Sequence, residues 1–223
     1  MGTRLIGFNK NPNIGLYVFA TDKYLLVGKE INQKSVEELE ELFKVPVHKI
    51  NIAGTSLLGV FISGTEELLL IPSITLESEK KELEKLGLNY KVFETDLTCL
   101  GNNIIMNENG VLVNPDFSNQ EIKTLKNIFD LPVKKISIAN TETPGACIVI
   151  RNKKALIHRD AATAEIKEIE KILKVKTIPS TINMGVPYMK SGIICNDQGL
   201  AIGELSGPAE IMNAEEGLGF IDG

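Results

Sequence analysis

The chain has no tryptophan, only two histidines (His48 and His158), and three cysteines spread along its length (Cys99, Cys147 and Cys195). Each shortage excludes something. A zinc site takes about four Cys, His or carboxylate ligands, and no Cys-x-x-Cys pair or His-rich cluster is present. An odd number of well-separated cysteines does not build a disulfide framework, so buried free thiols are expected. With no tryptophan and four tyrosines, stacking platforms for single-stranded nucleic acid are poorly supplied. A basic surplus is lacking too. Lysine and arginine number 24 against 29 acidic residues, a net charge of −5, which argues against a surface gripping many phosphates. The richest basic stretch, Lys134 and Lys135 followed by Arg151, Lys153, Lys154 and Arg159, reads as solvated surface. No apolar run reaches the roughly 18 residues of a membrane span, and residues 1–10 lack the apolar core of a signal peptide. A cytoplasmic protein without membrane contact is expected. No Gly-x-x-x-x-Gly-Lys-Ser/Thr loop is present, so neither nucleotide nor any other cofactor is expected.

What the chain has is a repeat. Residues 18–26, 62–70, 105–113, 149–157 and 194–202 each read as an apolar run, a polar turn and a second apolar run. This is a β-hairpin pattern, and Asn109-Gly110 is a favoured turn pair. Neighbouring copies are offset by about 44 residues, a period that marks repeated supersecondary units. A helical stripe follows each of the first four hairpins: Val36, Leu39, Leu42 and Phe43; a weaker Leu83 and Leu86; Ile122, Leu125, Ile128 and Phe129; Ile166, Ile169, Ile172 and Leu173. Ser35 with Glu38 and Ser118 with Glu121 fit capping boxes. Short strands are expected next, at residues 49–53, 91–94, 135–139 and, less clearly, 175–178, where Pro179 is expected to end the strand.

The unit is therefore strand, strand, helix, strand. The fifth copy has a short helix near residues 209–212 but no final strand, whereas residues 4–8 form a spare strand before the first hairpin. A ring in which the N-terminal strand completes the last unit resolves both and removes open sheet edges. The expected architecture is α/β, one domain over residues 1–223 with a pseudo-five-fold axis. Its units span 14–55, 56–99, 100–142, 143–184, and 185–223 completed by 1–13.

A five-unit ring of this kind resembles the pentein fold. The resemblance to the translation initiation factor 6 family is closer and covers nearly the whole chain. Ile52-Ala53-Gly54-Thr55-Ser56-Leu57-Leu58-Gly59 resembles that family's first junction between units, and Leu97-Thr98-Cys99-Leu100-Gly101-Asn102 its second. Ile14-Gly15 and Asn183-Met184-Gly185 match as well. The polar tail of eukaryotic members is missing, so the similarity is to archaeal members and implies no regulation through a tail. The resemblance implies binding to the intersubunit face of the large ribosomal subunit, on a ribosomal protein close to the sarcin–ricin loop with rRNA adjacent. Occupying that face excludes the small subunit, so no chemistry is required. A monomer is expected.

Residue chemistry is compatible with this. Gly15, Gly59, Gly101 and Gly145 each precede a hairpin and Gly185 opens the fifth unit, so a ring gathers them on one face. Glycine there admits a close backbone or simply turns the chain. A bulky side chain at Gly59 or Gly101 is expected to hold a partner away. Leu57, Leu58 and Leu100 supply either an apolar interface or ring core. Asn102 and Asn103 offer amide bonds to a partner or to local turns. Asn183, Met184 and Gly185 join the candidate surface through the family match. Two alternatives remain. One is an amidino-group enzyme of the pentein type, which needs a Cys nucleophile beside a His base, and nothing brings such a pair together. Both histidines are expected at the surface. The other is an RNA-binding ring, which steep weakening by salt would reveal.

Overall fold

The computed structural model describes residues 2–221; Met1, Asp222 and Gly223, at the outer limits of the first and last expected units, lie outside it. Strand β1 (Gly2–Ile6) precedes a 3-10 turn (Ile14–Leu16), β2 (Val18–Ala20), β3 (Leu25–Gly28), helix α1 (Gln33–Phe43) and β4 (Val47–Ile50). The second unit is α2 (Leu58–Phe61), β5 (Ser63–Gly64), β6 (Leu69–Pro72), α3 (Glu77–Lys85) and β7 (Tyr90–Phe93). The third is α4 (Leu100–Asn103), β8 (Ile104–Asn107), β9 (Gly110–Val113), α5 (Asn119–Phe129) and β10 (Val133–Lys135). The fourth is α6 (Pro144–Cys147), β11 (Ile148–Arg151), β12 (Lys154–His158), α7 (Thr163–Leu173) and β13 (Lys176–Ser180). The fifth is α8 (Met189–Gly192), β14 (Ile193–Cys195), β15 (Gly199–Gly203) and α9 (Pro208–Gly217).

These strands make five three-stranded sheets. In each, the second hairpin strand is central, antiparallel to the first and parallel to the third. The fifth sheet has the order β1-β15-β14, with β1 parallel to β15 from Gly2 opposite Gly199 to Ile6 opposite Gly203. The N-terminal strand thus closes the ring, two residues earlier than the apolar pattern of residues 4–8 suggests.

Central strands are buried on both faces, which is why their sequences are nearly continuous apolar runs. Leu69 and Ile71 of β6 enter one core and Leu70 the next. Val111 and Val113 of β9 flank Leu112 in the same way. Each core therefore binds two consecutive units. The one around α1 joins Leu39 and Phe43 to Ile194 and Ala201 of the fifth unit.

Local details depart from the sequence reading. In the third and fourth units the hairpin loop contains two residues, and in the third these are Glu108-Asn109, with Gly110 already in β9 opposite Asn107. Helix α1 starts one turn before the Ser35–Glu38 pair: Asn32 is its N-cap and its side chain accepts the Ser35 N–H at 2.9 Å. The Ser118–Glu121 capping box is present. The third strands of the first three units begin earlier than their apolar residues suggest. His48 lies inside β4, opposite Leu26. Pro179 lies within β13, opposite Ile157. This is an edge strand, where a missing N–H need cost no ladder bond. Arg151 is not solvated surface. Its guanidinium donates to the carbonyls of Asn196, Asp197, Leu218 and Gly219 and lies 4.2 Å from the Phe220 ring centre.

Candidate functional site

Because each central strand runs back from its hairpin tip, the ring has two ends. Hairpin tips lie at one. The loops between units, the short helices and the starts of the long helices lie at the other, here called the junction end. The 3-10 turn, α2, α4, α6 and α8 surround the axis there, each touching the next, with α8 returning to the 3-10 turn.

Glycine makes that packing possible. A Cβ on Gly15 would stand 1.8 Å from the Lys190 carbonyl oxygen, one on Gly59 1.9 Å from that of Gly15, one on Gly101 2.1 Å from that of Gly59, and one on Gly145 2.4 Å from that of Gly101. The cycle places Gly15, Gly59, Gly101 and Gly145 in equivalent positions, and the fifth position belongs to Lys190. Gly185 is outside the register. It lies five residues earlier in the junction loop, with φ +100° and open space where a Cβ would be. The expectation that Gly185 joins the other four is corrected accordingly.

The junction loops are held by carboxylates from the first turn of the following long helix. Glu79 accepts the N–H groups of Ala53, Gly54 and Leu76. Glu165 accepts those of Ala139 and Ala162. Glu210 accepts those of Met184, Gly185 and Gly207 and the Thr181 hydroxyl. Burial works to raise the Glu210 carboxyl, but the Thr181 hydroxyl and the three N–H groups outweigh it and hold it below the usual carboxylate range. A depressed carboxyl contributes stability above its unfolded pKa and loses it as pH falls through the folded value. Glu210→Ala is expected to cost about 1 kcal/mol and to speed amide hydrogen exchange at Met184, Gly185 and Gly207 at pH 7 while leaving β12 unchanged. Uniform acceleration over the chain would contradict this local role.

The sequence candidates separate into surface and support. Leu58 and Leu100 are fully buried, each in the core that joins its own unit to the one before, so they seat the short helices and present nothing outward. That corrects the interface reading for both. Asn103 is also buried; its amide donates to the carbonyls of Leu97 and Cys99 and accepts from Asn114. Asn183 is buried between Pro12 and Ser206. Leu57 is half-buried. Asn102 lines an axial dimple of about 200 Å³ together with Gly15, Gly59, Ala146, Tyr188 and Lys190. Met184 is the most outward of the set, 79% exposed.

Near these lie apolar side chains that the repeat comparison missed. Ile74, Leu76, Tyr188 and Leu205 are exposed, and all four belong to junction-end loops. The positions have a signal: two residues past the ends of β3, β6, β12 and β15 stand Glu30, Ile74, Asp160 and Leu205, and three past the end of β9 stands Asp116. Two aliphatic residues stand where the other units carry carboxylates. With Met184 the four make five of the eight large apolar residues exposed among the described residues, the others being Leu5, Met212 and Ile221, and exposed apolar residues that share a face are candidates for an interaction surface.

Catalytic chemistry finds little support. Burial raises the Cys99 thiol and pushes those of Cys147 and Cys195 up to about 12, whereas a nucleophilic thiol is a depressed one. His158 is buried rather than at the surface, its Nδ1 accepting the Asp160 N–H and its ring edge-on to Tyr188 at 5.7 Å. Among the described residues no group of three His, Cys, Asp or Glu side chains is arranged to hold a metal, and no helix is long and apolar enough to cross a membrane.

Comparison with known proteins agrees with this geometry. Solved structures of dimethylarginine dimethylaminohydrolase, at 19% identity and a TM-score of 0.53, share the fold over 75% of this chain and 68% of theirs. The N-terminal domain of ArgZ, a cyanobacterial arginine dihydrolase, does so at 12% identity and a TM-score of 0.55, over 83% of this chain and 75% of its own. At these identities the likeness is one of fold, the pentein ring. Among curated sequences, translation initiation factor 6 of Thermococcus onnurineus is 31% identical over 97% of this chain and 98% of its own length. That of Sulfolobus acidocaldarius is 31% identical over 91% and 92%. The model of the eIF-6 family matches residues 3–217. With that match and these full-length relatives, the chain belongs to the eIF-6 family of translation initiation factors.

Proposed function

We propose that the junction end of the ring binds the large ribosomal subunit on its intersubunit face and keeps the small subunit off by occupancy, in the cytoplasm, as a monomer and without catalysis. The observation that carries this reading is the set of exposed apolar side chains, Ile74, Leu76, Met184, Tyr188 and Leu205, around a rigid, glycine-packed axis. Such residues form the desolvated centre of protein interfaces, and a net charge of −5 favours a protein contact over rRNA as the main anchor. A ribosomal protein beside the sarcin–ricin loop is the partner the family resemblance supports, with rRNA at the rim. The thiols held in their neutral form favour binding over amidino-group chemistry.

The test is cosedimentation of the purified chain with free large subunits. A Met184→Glu, Leu205→Glu double variant changes two exposed side chains and is expected to melt like the parent. Removing two anchors of roughly 1.4 kcal/mol each weakens binding about 100-fold. Parent-like binding by the folded variant would move the interface away from this end.

A further inference from the structure

The exposed apolar side chains are not spread evenly around the ring. Of the eight among the described residues, Ile74 and Leu76 belong to the second unit. The other six belong to the fifth unit, as closed by β1, or to the loop that enters it: Leu5, Met184, Tyr188, Leu205, Met212 and Ile221. Helix α9 also differs from its four counterparts. Its exposed residues are Pro208, Ala209, Met212 and Asn213, none of them charged. Every other long helix exposes at least two charged side chains, such as Lys123 and Lys126 on α5 and Lys167 and Lys171 on α7. A helix face left to water normally carries such groups. Pro208, Ala209 and Met212 share one face by their spacing of three and four, and Leu205 stands two residues before the N-cap Gly207. Leu5 pairs with Ile202, which puts its side chain on the face of the fifth sheet that α9 covers, and it is left exposed there.

The charge of this sector is one-sided. Residues 191–223 hold six acidic residues and neither lysine nor arginine. Glu204, beside Leu205, is exposed. The basic side chains that reach the sector from elsewhere are engaged. Arg4 pairs with Glu41 of α1, on the opposite face of the fifth sheet from Leu5. Arg151 and Lys154 bond carbonyl oxygens at the C-terminal end of α9, away from Leu205.

We propose that the sector from Leu205 along the outer face of α9 to Leu5 docks a basic polypeptide segment of the large subunit, with apolar side chains at its centre, and so sets which side of the ring turns toward ribosomal protein. This rests on the reading that the junction end meets that subunit, and Leu205 belongs to both surfaces. Charge selects the occupant. An RNA backbone would meet Glu204 with like charge and find no free lysine or arginine from residues 191–223 to replace its counterions. Lysines or arginines flanking an apolar centre are complementary to the same surface. An uncharged helix face also gives up little hydration when it is covered.

The experiment compares Met212→Lys with Met212→Glu in the full chain by cosedimentation with purified large subunits, at low and high salt. Asn127→Lys and Asn127→Glu, at an exposed position of α5, are the controls. Both Met212 variants lose the same apolar anchor and differ in the sign of the new charge. Met212→Lys is expected to weaken binding about tenfold or more and Met212→Glu by less, with the gap narrowing at high salt. That order opposes the general attraction of rRNA for an added lysine, so the Asn127 pair should not show it. A benzophenone side chain at Met212 should crosslink to a ribosomal protein. Equal binding by the two Met212 variants, tighter binding by Met212→Lys, the same order at Asn127, or a crosslink to rRNA or to neither would each overturn the docking sector while leaving binding by the junction end intact. A parent chain that does not bind would sink both together. Should either Met212 variant melt below the parent, the same pair of substitutions at Ala209, exposed on the same face, decides by the same order.

Discussion

Gly59→Ala is expected to destabilise the ring by about 3 kcal/mol or more, the upper range for overpacking a close-packed site. The new Cβ would meet the carbonyl oxygens of Gly15 at 1.9 Å and Val18 at 2.8 Å. Both are backbone atoms of the neighbouring unit, so no rotamer change relieves the clash and the two short helices must separate. The cost should fall in the order Gly59, Gly101, Gly145, following the nearest approaches of 1.9, 2.1 and 2.4 Å. Gly207→Ala is the control. Its φ is −81° and nothing lies within 4 Å of the added atom, so its melting temperature should change little or rise slightly. Denaturant unfolding checks the series. A Gly59→Ala variant as stable as Gly207→Ala would contradict the packing at the axis. The wedge that the sequence suggests at Gly59 or Gly101 thus acts inside the fold, and a bulky residue there is a poor probe of the partner. The exposed Met184 and Leu205 are the better handles.

Deleting residues 1–8 is expected to lower the melting temperature by about 10 °C or more, at 2–4 °C per kcal/mol for a chain of this size. Three losses combine. The five-residue pairing of β1 with β15 goes, leaving β15 an open edge. Ile6 and Phe8, 4% and 2% exposed, leave the core around α1. The edge-on contact between Phe8 and Tyr17 is lost as well. Because that core joins the first and fifth units, the damage should spread across the closure rather than fray one end. Differential scanning calorimetry and size-exclusion chromatography measure both effects, the second through self-association of the exposed edge. A truncated chain that melted like the parent would contradict closure by β1.

The architecture was legible in the sequence for a physical reason. Central strands buried on both faces leave apolar triplets such as Leu25-Leu26-Val27 and Val111-Leu112-Val113 that recur with the unit. Closure was legible because the fifth copy lacks a strand that residues 4–8 nearly supply. The axis was only partly legible. Taking Asn109-Gly110 as the turn shifts the third to fifth hairpins by one residue, and in strands a shift of one residue exchanges faces. With the turn at Glu108-Asn109, the residues three before Val18, Ile62, Ile104, Ile148 and Ile193 are Gly15, Gly59, Gly101, Gly145 and Lys190. The shifted register hid the lysine, and Gly185, which opens the fifth unit and belongs to the family match, was taken in its place. The burial of Leu58 and Leu100 was not legible, because a leucine in a loop sequence reads alike whether its one-turn helix faces the core or the solvent. Ile74 and Leu205 escaped because matching units emphasises what recurs, and a surface built for one partner is where the units differ.

Subunit joining tests the central claim most directly. Purified large subunits are incubated with the chain, small subunits are added under associating conditions, and joined particles are followed by light scattering. The account predicts that joining falls toward zero as the chain saturates the large subunit, with neither nucleotide nor added cofactor. It also predicts that the folded Met184→Glu, Leu205→Glu variant needs about 100-fold more protein for the same effect. Undiminished joining at saturating, ribosome-bound protein would contradict it.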